Sequence, residues 1–230
     1  MQKRTIILTT VAILVLAGAA TLLWQLNPAP AEPVFEGKPL TACLEDLYKM
    51  TGPRSYDSSR AGAGARAVRA LGTNAVPHLV HMLMANRRRL MDKPVLWAKN
   101  EAVLPLSYTT ARERVMRAAT ACELLGPKAG AAIHALIPLL DDQDPEIRAQ
   151  VVAALCFIQK DPDIVVPLLA QRLTDTDVRV QQMAINGLTM FGAKARPALP
   201  ALRKLAQSQY PDLRAQASDS MRRIESAQNK

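Results

Sequence analysis

The segment LGPKAGAAIHALIPLLDDQDPEIRA, residues 125–149, sets the architecture of the chain, because its pattern returns one period later and then again. From Arg114 onward, apolar positions recur every 33 residues. Leu125, Ile158, Phe191 and Ile224 form one series, and Cys122, Leu155, Leu188 and Met221 a second. Ala118, Val151, Ala184 and Ala217 form a third; Ile133, Val166 and Leu199 are followed by Leu136, Leu169 and Leu202. A fixed period of this length is the mark of a repeat protein. Ala118, Cys122 and Leu125 are four and three residues apart, so they share one helix stripe, and Ile133, Leu136 and Leu140 share a second. Gly126-Pro127-Lys128 and Gly192-Ala193-Lys194 break the two stripes, with glycine supplying the left-handed turn that ends a helix. The loops Asp141-Asp142-Gln143-Asp144-Pro145 and Thr174-Asp175-Thr176-Asp177 place acids where the next helix begins, to cap its free amides.

Each unit is therefore a helix, a tight turn, a second helix and an acidic loop. One such pair has an apolar face it cannot bury alone, so the units stack into an all-α superhelical solenoid. Leu125-Gly126-Pro127-Lys128-Ala129 through Leu139-Leu140-Asp141-Asp142, then Pro145-Glu146-Ile147-Arg148-Ala149, resembles armadillo/HEAT-like repeats. More narrowly it resembles the short HEAT-like repeats first named from phycobilisome lyases. The resemblance covers residues 114–228 and implies an interaction scaffold. Gly37-Lys38-Pro39-Leu40 is similar to the entry of membrane-tethered bacterial HEAT-repeat proteins.

A divergent earlier copy lies at an offset of 54 residues, one period plus 21: Val68, Leu71, Leu79 and Met82, with Leu71-Gly72-Thr73 as the break. The expected order is a capping helix at 39–50, the divergent repeat at 58–86 and an insertion at 87–110. Repeats follow at 111–142, 143–175 and 176–208, and a terminal helix at 209–228. Pro39 is expected to open the capping helix, whose stripe is Leu40, Cys43, Leu44, Leu47 and Met50.

Residues 1–27 read as a transmembrane signal anchor or a signal peptide. Lys3 and Arg4 precede an apolar run from Thr5 to Leu26, and about 20 such residues span a bilayer core of roughly 30 Å. The run is longer than an ordinary cleavable signal, which favours an uncleaved anchor, although Ala17-Gly18-Ala19 has the small residues of a cleavage site. The two basic residues favour an N-inside orientation, and Trp24 suits the far interface. The expectation is a single-pass cell-membrane protein with its solenoid on the extracytoplasmic (periplasmic) side, or a secreted one if the segment is removed. Residues 28–38 form a Pro-rich linker that holds the solenoid off the bilayer.

The net charge of +9 is concentrated rather than spread. Residues 51–100 hold nine basic side chains against Asp57 and Asp92 alone. Arg66, Arg69, Arg87, Arg88 and Arg89 are the candidate docking residues of this stretch, suited to an acidic protein or to anionic lipid near the tether. Arg87–Arg89 also suit the negative end of a helix dipole. Nucleic acid is attracted by the same charge but does not fit an extracytoplasmic location. Gln171 and Lys204 are equivalent positions on second helices, off the apolar stripe, and are the candidate contacts for an extended partner.

No catalytic, cofactor or metal motif is present. His78 and His81 are three residues apart, read as surface or rim side chains, and two ligands make no metal site. His134 stands where the other units have Pro167 and Pro200. Cys43, Cys122 and Cys156 lack metal-ligand spacing and read as buried free thiols, with a Cys122–Cys156 disulfide as the alternative. The expected function is a membrane-tethered scaffold for an unidentified, extended or acidic protein. The alternatives are an electrostatic binder acting through residues 60–99 and, least favoured, a lyase-type enzyme with a small-molecule substrate.

Overall fold

The structure, a computed structural model, describes residues 30–50, 62–84 and 109–227. The apolar run Thr5–Leu26 and the insertion from Arg87, with its arginine triplet and Trp97, lie outside the described residues. Among the described residues no helix is long and apolar enough to cross a membrane.

Between Glu32 and Lys230 the chain forms one compact unit. It opens with a short hairpin, β1 (Val34–Phe35) and β2 (Lys38–Pro39), and α1 (Leu40–Met50). The divergent copy supplies α2 (Ala63–Leu71) and α3 (Val76–Met84). Three full repeats follow as α4 (Ala111–Leu125) with α5 (Ile133–Leu136), α6 (Pro145–Ile158) with α7 (Pro162–Arg172), and α8 (Val178–Phe191) with α9 (Leu199–Leu205). Terminal α10 (Pro211–Ser226) closes the array.

First helices stack in sequence: α4 on α6, α6 on α8, α8 on α10. The 33-residue series are the glue. Ala118, Val151, Ala184 and Ala217 are completely buried, as are Leu136, Leu169 and Leu202. Small residues in the first series let helices approach, and the leucines of the second fill the space between helix rows. Burying each large aliphatic side chain contributes about 1.5–3 kcal/mol. The capping helix α1 packs on α2 and α4, so Leu40 and Leu44 join the same continuous core.

Helix starts follow the acidic loops. The Asp144 and Asp177 side chains accept from the Glu146 and Arg179 amides, each at 2.9 Å. Thr110 and Glu113 form a reciprocal capping box on α4. Helix ends carry Gly72, Gly126 and Gly192 at φ near 55° and ψ near −130°, a conformation that only glycine adopts without strain.

Four local features differ from the sequence expectation. Pro39 lies in the hairpin, paired with Val34, and the helix starts at Leu40. The end of the linker is therefore folded: the Pro33 carbonyl accepts from the Leu40 amide at 2.9 Å, and Glu32 Oε1 accepts from the Thr41 amide at 2.6 Å. The second helix of the first full repeat is broken into 3-10 turns around α5, at Gly126–Ala132 and Ile137–Asp141, where Pro127 and Pro138 withhold amide donors. In the middle repeat, where the sequence offers no glycine, the chain turns through Gln159 and Asp161 at φ 49°. His78 is buried at 8% exposure rather than on the rim, with Nε2 3.8 Å from Glu32 Oε1, because the hairpin brings Glu32 over α3.

Candidate protein-interaction surface

The second helices stand beside one another, α3 against α5 and α7 against α9. Counting back through the repeat places Met84, Pro138, Gln171 and Lys204 at one equivalent position, and all four are exposed. Pro77, Ala131, Ile164 and Pro197 form a second exposed row on the same helices and the turns leading into them. His134, Pro167 and Pro200 lie between these rows and are exposed as well. The result is a regular face rich in proline and aliphatic side chains, with polar groups at Gln171 and Lys204.

Arg66 and Arg69 are exposed on α2, a first helix, and so belong to the other helix row. The structure does not bring them together with Gln171 and Lys204. Arg87, Arg88 and Arg89 lie outside the described residues. His81 is exposed, its ring centroid 6.5 Å from that of His78. Among the described residues no group of three or more His, Cys, Asp or Glu side chains is arranged to hold a metal ion.

The loop ends of the face carry a second pattern, which the apolar period did not reveal. Arg148 reaches back to the Asp142 carbonyl at 2.8 Å, Gln181 to the Asp175 carbonyl at 2.6 Å and Arg214 to the Ser208 carbonyl at 3.1 Å. These are the same two positions in three successive repeats. Each donor satisfies a loop carbonyl that the helix cannot reach. The sequence signal was a polar residue recurring four places after each helix-starting Asp or Tyr.

Arg148 also reaches forward to the next loop. Its Nη2 lies 2.6 Å from Asp175 Oδ1 and its Nε 2.9 Å from Asp175 Oδ2, a forked pair whose side chains are largely buried. Burial opposes the charge on Asp175. The Arg148 hydrogen bonds and the Asp177 amide outweigh it and hold the carboxyl below the usual carboxylate value. Arg172 binds the Leu140 carbonyl and Asp141, both at 2.9 Å. Asp141, Asp142, Arg148, Gln171, Arg172 and Asp175 thus line a notch of about 290 Å³ in which both arginines are paired with aspartates.

One period later the same place is built differently. Thr174, Gln181, Lys204, Leu205 and Ser208 occupy the equivalent positions, and with Leu173 and Ala201 they line a notch of about 250 Å³. The arginine–aspartate pair has become Gln181 and Ser208, and Arg172 has become Leu205. The Gln181 amide nitrogen is fixed by the Asp175 carbonyl, which leaves Oε1 buried without a hydrogen-bond partner. An unmatched buried acceptor costs about 1–3 kcal/mol.

The three cysteines are free and buried. Cys156 Sγ lies 3.8 Å from the Met183 carbonyl on α8, and with both thiols free the alternative of a disulfide does not hold.

No curated protein matches the chain. Among solved structures, an engineered protein is 20% identical, with 81% of this chain and 90% of that one covered at a TM-score of 0.45. A designed armadillo repeat protein in complex with the peptide (KR)4 is 16% identical, with 80% and 91% covered, also at 0.45. Residues 133–222 match the family model described as HEAT repeats.

Proposed function

We propose that this chain is a non-catalytic scaffold whose second-helix face receives an extended segment of a partner protein. The observation that carries the reading is the exposed row Met84, Pro138, Gln171 and Lys204, one residue from each successive second helix. Repeat proteins use such regularly spaced surfaces to bind extended chains. The proposal includes a membrane tether: Thr5–Leu26 is long enough to span a bilayer, and Lys3 and Arg4 favour an extracytoplasmic solenoid.

A photo-crosslinking residue placed at Gln171 or Lys204 in the native host is expected to give one discrete protein adduct. The same residue at Asn186, exposed on first helix α8, is expected to give none. Equal labelling at all three positions, or none at any, overturns the reading. For the tether, the chain is expected to resist alkaline extraction from membranes, and a reporter fused after Lys230 to be active only outside the cytoplasm.

A second reading, electrostatic attachment to anionic lipid or nucleic acid through residues 60–99, is favoured by the exposure of Arg66 and Arg69 one turn apart on α2. It requires salt-sensitive binding that falls sharply when Arg87, Arg88 and Arg89 are replaced by Ala.

A further inference from the structure

We infer that the notch between α7 and α9, walled by Leu173 and Leu205 and bordered by Gln181 and Lys204, is the specificity pocket of this face and takes an acidic side chain of the bound partner segment. The inference rests on the scaffold reading and narrows it to one repeat and one chemistry.

Comparison with the preceding repeat carries the argument. There both arginines of the equivalent notch are engaged by aspartates: Arg148 by Asp175, and Arg172 by Asp141. One period on, Gln181 and Ser208 replace the first of these pairs, while Thr174 and Leu205 replace the second. Three things are left for a ligand. Leu173, Ala201 and Leu205 offer an apolar wall. Gln181 and Ser208 put uncharged polar side chains where the ion pair stood. Lys204 is an exposed cation at the rim.

The net charge of the repeat points the same way. Residues 176–208 hold Arg179, Lys194, Arg196, Arg203 and Lys204 against Asp177 alone. The repeat before it, 143–175, holds five acids against three bases. An anionic ligand is therefore steered to this repeat and away from its neighbour.

The apolar wall beside Lys204 decides which anion fits. A lipid headgroup is polar throughout and leaves that wall bare. A Glu or Asp residue of a peptide can offer its carboxylate to Lys204. Its aliphatic neighbour can lie on the leucine wall.

The test uses the full-length chain in detergent and a fluorescein-labelled, acetylated peptide of three Ser-Glu-Leu units. Matched peptides carry Gln or Lys in place of Glu. Saturable binding is expected for the Glu peptide, weaker by roughly tenfold or more for the Gln peptide, which corresponds to about 1.4 kcal/mol, and absent for the Lys peptide. Lys204→Glu should abolish the preference. The double change Gln181→Arg with Ser208→Asp writes the preceding repeat's ion pair into the notch, so it should keep the melting temperature close to the parent's while removing peptide binding.

Equal binding of the Glu and Gln peptides overturns the inference, as does undiminished binding by the double variant. A Lys204-dependent signal from soluble dihexanoylphosphatidylserine instead of the peptide also overturns it. If these arms fail while the crosslinks at Gln171 and Lys204 persist, the notch assignment falls and the scaffold reading stands. If the crosslinks fail as well, both fall.

Discussion

Arg148 on α6 grips Asp175 in the loop that follows α7, with Nη2 2.6 Å from Oδ1 and Nε 2.9 Å from Oδ2. The same guanidinium holds the Asp142 carbonyl in its own loop. One side chain therefore ties two successive loops together, which fixes the stagger between repeats independently of the apolar core. Gln181, its counterpart in the next repeat, holds only the loop of its own repeat.

Removing one partner of this largely buried pair leaves the other charge uncompensated. Arg148→Ala is expected to lower stability by about 3–5 kcal/mol, read from urea unfolding. Arg148→Gln combined with Asp175→Ser copies the arrangement of Gln181 and Ser208. Ser208 Oγ accepts from the Tyr210 amide much as Asp175 accepts from the Asp177 amide, so the local loop bond has a replacement. The double variant should lie within about 1–2 kcal/mol of the parent, since exchanging a whole buried pair costs far less than breaking it.

The pair also gives stability a pH dependence. Asp175 has a folded-state pKa below its ordinary value, despite the opposing effect of burial. Its contribution is therefore fully present above the unfolded-state value, near pH 4, and is lost as pH falls through the folded-state value. Thermal melts of the parent should show a steep loss below about pH 4. Asp175→Asn should melt lower at neutral pH and show a shallower acid limb. An identical acid slope in both proteins would remove Asp175 as its source.

Helix ends that look alike in the repeat alignment should respond differently to substitution. Gly192 stands at φ 55° and ψ −130°, a conformation strained for any residue with a Cβ, so Gly192→Ala is expected to cost about 1–3 kcal/mol. Gln159 is at the equivalent position but in the ordinary left-handed region, φ 49° and ψ 29°. Gln159→Gly relieves that strain at the expense of its 3.4 Å contact with the Met190 carbonyl, so its melting temperature should match or slightly exceed the parent's. A loss at Gln159 as large as that at Gly192 would contradict the backbone argument.

Apolar periodicity made the helix rows readable because burial acts on every repeat alike: Ala118, Val151, Ala184 and Ala217 needed no knowledge of their partners. The polar pattern was harder to read. Arg148, Gln181 and Arg214 differ in charge and share only their reach to a loop carbonyl, and apolar spacing does not register a shared reach. Lys204 and Gln171 were legible as exposed second-helix positions. That they border two equivalent notches of opposite character depended on residues from neighbouring loops and helices, which only the packed structure assembles. His78 shows the same limit, since the carboxylate beside it, Glu32, arrives from 46 residues away through a hairpin that no periodicity announces.

Buried thiols report on opening of the stack. Burial pushes both the Cys122 and Cys156 thiols up to about 12, so almost no thiolate exists at pH 8. Alkylation by iodoacetamide under native conditions should proceed only through unfolded or locally opened molecules. Labelling followed by mass analysis is expected to show both sites reacting together, at a rate that rises with urea in step with global unfolding. Rapid native labelling of either site would contradict its position in the core.

Gly187 offers the sharpest test of packing between successive first helices. A Cβ at this position would overlap Cys156 Sγ and lie 3.1 Å from Leu169 Cδ1, so α6 and α8 touch at this point without room for a methyl group. Gly187→Ala should gain about 1 kcal/mol in helix propensity and lose more through overpacking. Cys156→Ala removes the sulfur that the new methyl meets, and alone it leaves a small void. The two changes are expected to compensate each other in a double-mutant cycle, with a coupling on the order of 1–3 kcal/mol measured by chemical denaturation. Additive losses would mean that the helices separate to admit the methyl, and that their contact at Gly187 does not set the spacing of the stack.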